Sequence, residues 1–305
     1  MTIFRKLGRS LSDLTGHERA PSIASEPAAP RRFAADCPAR IICVTSGKGG
    51  TGKSMVTSNL ATELALRGMR VLAIDADLGL ANLHLLLGVS PRRSLYHSLV
   101  NHLTFREVAH RTGSGVHLVA GPSGVAELAD LSARDLSHLI GETARYGAEF
   151  EVVLIDTAAG IARMTTAFLN AAREILVVTT PDLTAMTDAY ATMKTVLRHN
   201  PSAVMSVVVN RARTARQGWE VFQTLDGIAG RFMTRRLTYL GYIPEDETVR
   251  RSVAVKTPAV QLEPESAVAL RVRDIATALF PPRVAAPRYA PTPGATGPLR
   301  YGENG

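Results

Sequence analysis

Gly47-Lys48-Gly49-Gly50-Thr51-Gly52-Lys53-Ser54 is the stretch from which the rest of the chain can be read. An apolar run, Ile41-Ile42-Cys43-Val44, leads into it, and Met55 to Arg67 after it has the composition of a helix. Strand, glycine loop and helix in that order form a phosphate-binding loop. Glycines let backbone amides close around an anion with no Cβ in the way, and the helix N-terminus adds partial positive charge. The spacing G-x-x-x-x-G-K-[ST] runs complete from Gly47 to Ser54. It predicts that Lys53 reaches the β- and γ-phosphates and that the Ser54 hydroxyl binds Mg²⁺. Gly47, Lys48, Gly49, Gly50, Thr51 and Gly52 complete the expected cradle.

Downstream, apolar strands alternate with helical stretches. Met69 to Ile74 reads as a buried strand closing on Asp75 and Asp77. Carboxylates at a strand's C-terminal end lie where ligands bind in open α/β sheets, placed for work on metal and water. Val152-Val153-Leu154-Ile155 ends in Asp156, which suits Mg²⁺ coordination through water. Further strands are expected at Val116–Ala120, Ile175–Thr180, Val204–Val209 and Leu237–Ile243. Helices are expected at Leu131–Tyr146 with a cap at Ser132, at Leu183–His199, and at Ser266–Phe280. This alternation predicts one doubly wound α/β domain over residues 39–280 with a mostly parallel sheet.

The formal charge of +8 is unevenly spread: residues 1–40 carry seven Lys/Arg against four Asp/Glu, and residues 281–305 three against one. The tails therefore hold most of the excess, and composition alone does not argue for a nucleic-acid-binding core. Arg211, Arg213, Arg216, Arg231, Arg235 and Arg236 could meet nucleic acid backbone or acidic protein, but a solvated helix face is the favoured reading. His84, His97 and His102 lack metal-ligand spacing. The two cysteines, Cys37 and Cys43, suggest no disulfide framework, so a reducing cytoplasm is the default. The sequence shows neither a continuous apolar signal core nor an apolar run long enough to span a bilayer.

At the N-terminus, Ile3, Phe4, Leu7, Leu11 and Leu14 fall at helical spacing among Arg5, Lys6 and Arg9. A short basic amphipathic helix is expected there, lying on an anionic membrane, in a partner's groove or against its own domain. The stretch up to residue 38 is rich in Pro, Ala and Ser and reads as a linker. Residues 281–305, rich in Pro and Gly, are expected to be a disordered tail.

Lys48, a second lysine at the start of the loop, resembles the deviant Walker A motif of the MinD/ParA (SIMIBI) class of P-loop NTPases. In that family this lysine crosses a dimer interface to the partner's nucleotide. Asp75-Ala76-Asp77-Leu78-Gly79-Leu80-Ala81-Asn82-Leu83 resembles the family's switch I, and Asp156-Thr157-Ala158-Ala159-Gly160 its switch II. Both segments, with Thr187-Asp188-Ala189-Tyr190, favour the flagellar-number branch known as FlhG, FleN or YlxH. The resemblance implies that Asp77 orients the attacking water, Asp75 supports Mg²⁺, and Asn82 couples nucleotide to dimer. It implies that Asn210 contacts the adenine base, which its donor-and-acceptor amide suits, though Asn also favours strand-end turns. It also implies that Gly241 to Asp246, with Pro244, closes over that base.

The implied activity is slow Mg²⁺-dependent ATP hydrolysis in a switch that dimerises on ATP and controls flagellar number or placement. Partners implied are the FlhF GTPase, C-ring components or a flagellar transcription activator, in the cytoplasm or peripherally at the inner face of the plasma membrane. Nucleic acid is a less favoured partner. Alternatives within the family are division-site positioning and segregation of DNA or cargo. An alternative of another class is an anti-activator whose nucleotide is mainly structural. Two family features are absent from the sequence: an amphipathic C-terminal membrane helix, and an N-terminal D-Q-A segment that stimulates the partner GTPase.

Overall fold

A computed structural model of the chain describes Phe33 and residues 37–122 and 131–281. The expected helix at 1–16, nearly all of the linker and the tail beyond residue 281 lie outside those residues. Eight strands form one sheet in the order β3-β4-β2-β5-β1-β6-β7-β8. In chain order they are β1 (Arg40–Thr45), β2 (Val71–Ala76), β3 (His110–Arg111), β4 (His117–Val119), β5 (Val152–Thr157), β6 (Glu174–Thr179), β7 (Val204–Ala212) and β8 (Thr238–Pro244). All neighbours are parallel except β3, an antiparallel edge on β4.

The inner strands carry apolar side chains on both faces because helices cover both faces. Ile41, Cys43, Val153, Ile155 and Val177 enter one core, with the helices α5 (Ala133–Gly147), α6 (Arg163–Ala171), α7 (Leu183–His199) and α8 (Ala215–Met233). The alternate residues Ile42, Val44, Val152, Leu154 and Leu176 enter a second core under α1 (Lys53–Leu66) and α11 (Ala267–Leu279). Helix α1 is buried along nearly its whole length, because α11 packs on its outer side. The expected cap at Ser132 is in place, accepting from the Asp135 amide, and Ser266 caps α11 by accepting from that of Ala269.

Between β2 and β4 the chain forms three short helices, α2 (Leu83–Leu86), α3 (Leu95–Val100) and α4 (Phe105–Val108). Sequence periodicity did not give these, nor β3. The remaining short helices are α9 (Glu247–Ala254) and α10 (Ala259–Leu262). The chain leaves β1 for β2 on one side of the sheet and reaches β6 on the other, so the order reverses around β1. Such a reversal opens a crevice at the strand C-termini, which is where the glycine loop sits.

Candidate nucleotide site

The loop is held from three sides. Gly50 (φ 78°) and Gly52 (φ 90°) adopt left-handed backbone that only glycine takes without strain. Gly47 packs directly on α7: a Cβ there would lie 2.0 Å from the Asp188 carbonyl carbon. Gly52, at the N-cap of α1, makes no side-chain capping bond, so the first amides of the helix are free to meet an anion. Lys53 follows at once and is buried. Lys48 is exposed on the other side of the loop, its Nζ 3.1 Å from the Thr184 hydroxyl at the start of α7.

Three acids converge below the loop. β2 and β5 are paired in register so that Asp75 lies beside Asp156. Both are almost fully buried. Burial raises the pKa of Asp75, and the neighbouring Asp156 carboxylate raises it further; the backbone amides of Leu83 and Asp77, at 3.0 and 3.2 Å, oppose this. Asp156 is also raised by burial, while the Lys53 ammonium and the Ser54 and Thr57 hydroxyls pull it back. One Asp156 oxygen, Oδ2, has no hydrogen-bond partner among the described residues. Asp77 is half-exposed, and its Oδ1 accepts from the amides of Gly79 and Leu80 at 3.2 and 3.0 Å.

The residues present fit a magnesium ion. Among the described residues no three His, Cys, Asp or Glu side chains group as a cage. An ion here would depend on one or two protein oxygens completed by water and phosphate, which is how Mg²⁺ is usually held. The Ser54 hydroxyl and the orphaned Asp156 oxygen provide such a pair.

The structure brings Gly47 to Ser54, Asp75, Asp77 and Asp156 to one edge of the sheet. The segment after β5 joins them, since the Gly160 amide donates to the Ser46 carbonyl at 2.9 Å. Asn210, at the end of β7, is buried and donates through Nδ2 to the Thr51 carbonyl at 2.8 Å. It thus braces the loop itself, a contact between residues far apart in the sequence that motif reading did not anticipate. The bulge that aims it there has Arg211 at φ 56°. Pro244 sits half-buried at the end of β8, opposite Ala212. Asn82 is exposed at the N-cap of α2.

The arginine cluster behaves as a solvated helix face at several positions. Arg216 pairs with Glu220 along α8, Arg236 pairs with Asp226, and Arg231 stacks over Phe232. Phe222 is buried against Tyr239, while Trp219 on the same helix is 45% exposed.

Comparison with known proteins agrees with this geometry. Residues 38–280 match the ParA family model, described as "NUBPL iron-transfer P-loop NTPase". The antiactivator FleN of Pseudomonas aeruginosa is 36% identical over 239 residues, 78% of this chain and 85% of FleN. The flagellum site-determining protein YlxH of Helicobacter pylori is 31% identical over 238 residues, 78% of this chain and 80% of that protein. Among solved structures, the septum site-determining protein MinD of Pyrococcus horikoshii, complexed with Mg-ADP, superposes with a TM-score of 0.69 at 27% identity, covering 80% of this chain and 96% of MinD. Loop, acids, topology and likeness converge: the chain belongs to the ParA/MinD family of P-loop NTPases.

Proposed function

We propose that the protein is an ATP-dependent switch that dimerises on ATP, hydrolyses it slowly, and controls the number or placement of flagella. The observation that carries this reading is the 36% identity to FleN over 239 residues, 78% of a chain that carries the loop and the three acids. The Mg-ADP held by the MinD relative supports ATP and Mg²⁺ as the ligands.

Roles follow from the chemistry of each side chain. Lys53 and the free amides of α1 hold the β- and γ-phosphates. Ser54 and Asp156 would hold the metal, with Asp75 behind them; when bound, the ion neutralises developing charge on the phosphates. Asp77 stands at the solvent side of the acids, where a carboxylate can orient a water for in-line attack. Lys48 lies on the exposed face of the loop and, on giving up its bond to the Thr184 hydroxyl, would reach a second subunit's nucleotide. Asn210 and Pro244 would flank the adenine. The lifetime of the ATP-bound dimer is then the signal, read by partners through the segments around Asp77 and Gly160.

The partner is a flagellar assembly protein such as the FlhF GTPase or a C-ring component. The name of FleN favours a second reading of the output, in which the partner is a flagellar transcription activator held inactive. No helix among the described residues is long and apolar enough to cross a membrane. The test is a count of flagella per cell by electron microscopy in a deletion strain complemented with wild type, with Lys53→Ala, or with nothing. Extra or misplaced flagella rescued only by wild type are expected. Normal flagella in the deletion strain, with minicells or lost DNA, would refute the flagellar assignment.

A further inference from the structure

Away from the nucleotide loop, two adjoining clefts of about 410 and 350 Å³ flank the segment Ser90 to Arg93. Glu107 to His110 line the far wall of the first; His84, Tyr96, His97 and the backbone at Gly121 line the second. Their charge is one-sided. Arg92 is exposed and has no hydrogen bond or ion pair among the described residues. Arg93 is exposed and, among the described residues, donates only to the Glu107 carbonyl, at 3.2 Å. The one acid among the described lining residues, Glu107, is turned to its own helix cap, with Oε2 accepting from the Thr104 amide and hydroxyl. Arg92 is thus offered to the groove with no carboxylate partner among the described residues, and Arg93 feels the Glu107 carboxylate without pairing with it.

The floor of the second cleft reaches the acid pair. At Gly121 a Cβ would lie 2.7 Å from the Ala81 side chain, 2.9 Å from the Asp75 carbonyl oxygen and 3.2 Å from the Asp75 carboxyl carbon. His84 lies on α2, whose first amide, that of Leu83, donates to Asp75 at 3.0 Å. The His84 Nδ1 is buried with no hydrogen-bond partner among the described residues, and burial, with Lys256 after it, lowers the ring's pKa; the residue lines the second cleft. One wall of the groove is therefore the back of the segment that carries Asp75 and Asp77.

We propose that this groove docks an acidic segment of a partner protein, and that docking shifts α2 and so changes ATP turnover. Two clefts strung along one four-residue segment suit an extended peptide better than a single compact anion. Carboxylate side chains would meet Arg92 and Arg93, and a hydrogen-bonding group would meet His84. The effect on turnover rests on the ATP-switch reading above; the docking itself does not.

The probe is fluorescein-labelled oligoglutamate, followed by anisotropy at low salt with full-length protein. Wild type should bind it, and the double variant Arg92→Glu/Arg93→Glu should bind at least about tenfold more weakly with an unchanged melting temperature. A control with the same charge change at the C-terminal end of α8 and just beyond it, Arg231→Glu/Arg235→Glu, should keep wild-type affinity within about twofold. Equal loss in both variants would show attraction to net charge alone and overturn the proposal. So would loss in the groove variant of binding to phosphatidylglycerol vesicles but not to oligoglutamate, which would make the groove a lipid surface. In the turnover arm, oligoglutamate should change the wild-type ATPase rate at least about threefold and leave the Arg92/Arg93 variant unchanged. Binding without a rate change would overturn the coupling to α2 and leave docking standing. A wild-type enzyme with no turnover at all, yet intact binding, would count against the ATP-switch reading and not against the groove.

Discussion

Two pairs of buried acids in this molecule are treated in opposite ways. Glu63 on α1 and Glu142 on α5 are nearly inaccessible, and each is matched. Glu63 pairs with Arg67 at 2.8 Å with Arg273 behind it; Glu142 pairs with Arg145 and accepts from the Phe105 amide at 2.9 Å. Asp75 and Asp156 are buried as deeply, but they lie side by side on paired strands, with Lys53 acting on Asp156 and one Asp156 oxygen left without a hydrogen-bond partner among the described residues. Matched acids fix helices in place. Like-charged, under-partnered acids instead hold free energy that an arriving cation can release. In the proposed switch, the second pair is the working site.

The largest expected effect comes from breaking the cationic side of that site. Lys53→Ala should lower ATP turnover by at least about a hundredfold and prevent ATP-dependent dimerisation, as measured by phosphate release and light scattering. Next comes Asp77→Ala, where turnover should fall by about the same order while ATP binding and the dimer persist. Normal turnover in Asp77→Ala would remove that residue from the water-positioning role.

Asp75→Asn sharpens the comparison through pH. In the folded chain burial, and after it Asp156, raises the Asp75 pKa above its unfolded value. The folded state then holds a proton that the unfolded state gives up. Stability from this group is therefore lost as pH rises from the unfolded carboxylate range through the folded value. Asp75→Asn should raise the melting temperature of the nucleotide-free protein by roughly 2–4 °C at pH 8 and by much less near pH 4. The reverse order across pH would break the account of the acid pair. Glu63→Gln, by contrast, should destabilise at pH 8, since it leaves Arg67 unmatched.

The smallest effect expected is at Asn210. Asn210→Ala removes its bond to the Thr51 carbonyl and any bond to the base. About 1–2 kcal/mol of nucleotide affinity should be lost, read as a roughly five- to thirtyfold rise in Kd for labelled ATP.

Much of the fold was legible because its signals are local. The β-branched runs before Asp75 and Asp156 could hardly be anything but buried parallel strands, and Gly47 to Ser54 declared the loop. Between residues 83 and 111 the elements are too short to show a period. Some chemical signals existed there: Thr104 with Glu107 is a capping box, and Thr112 to Gly115 is a turn signal beside β3. At the site, motif spacing brought out the acids and lysines but not the braces. Gly47 against Asp188, Asn210 on Thr51 and Gly121 against Asp75 are tertiary contacts between distant positions, and no periodicity encodes them.

In the proposed switch, ATP held at the glycine loop joins two subunits. Light scattering of Asp77→Ala with ATP and Mg²⁺, and again with ADP, tests it most directly. The account predicts twice the monomer mass with ATP and Mg²⁺ and the monomer mass with ADP. The same mass under both conditions would contradict it.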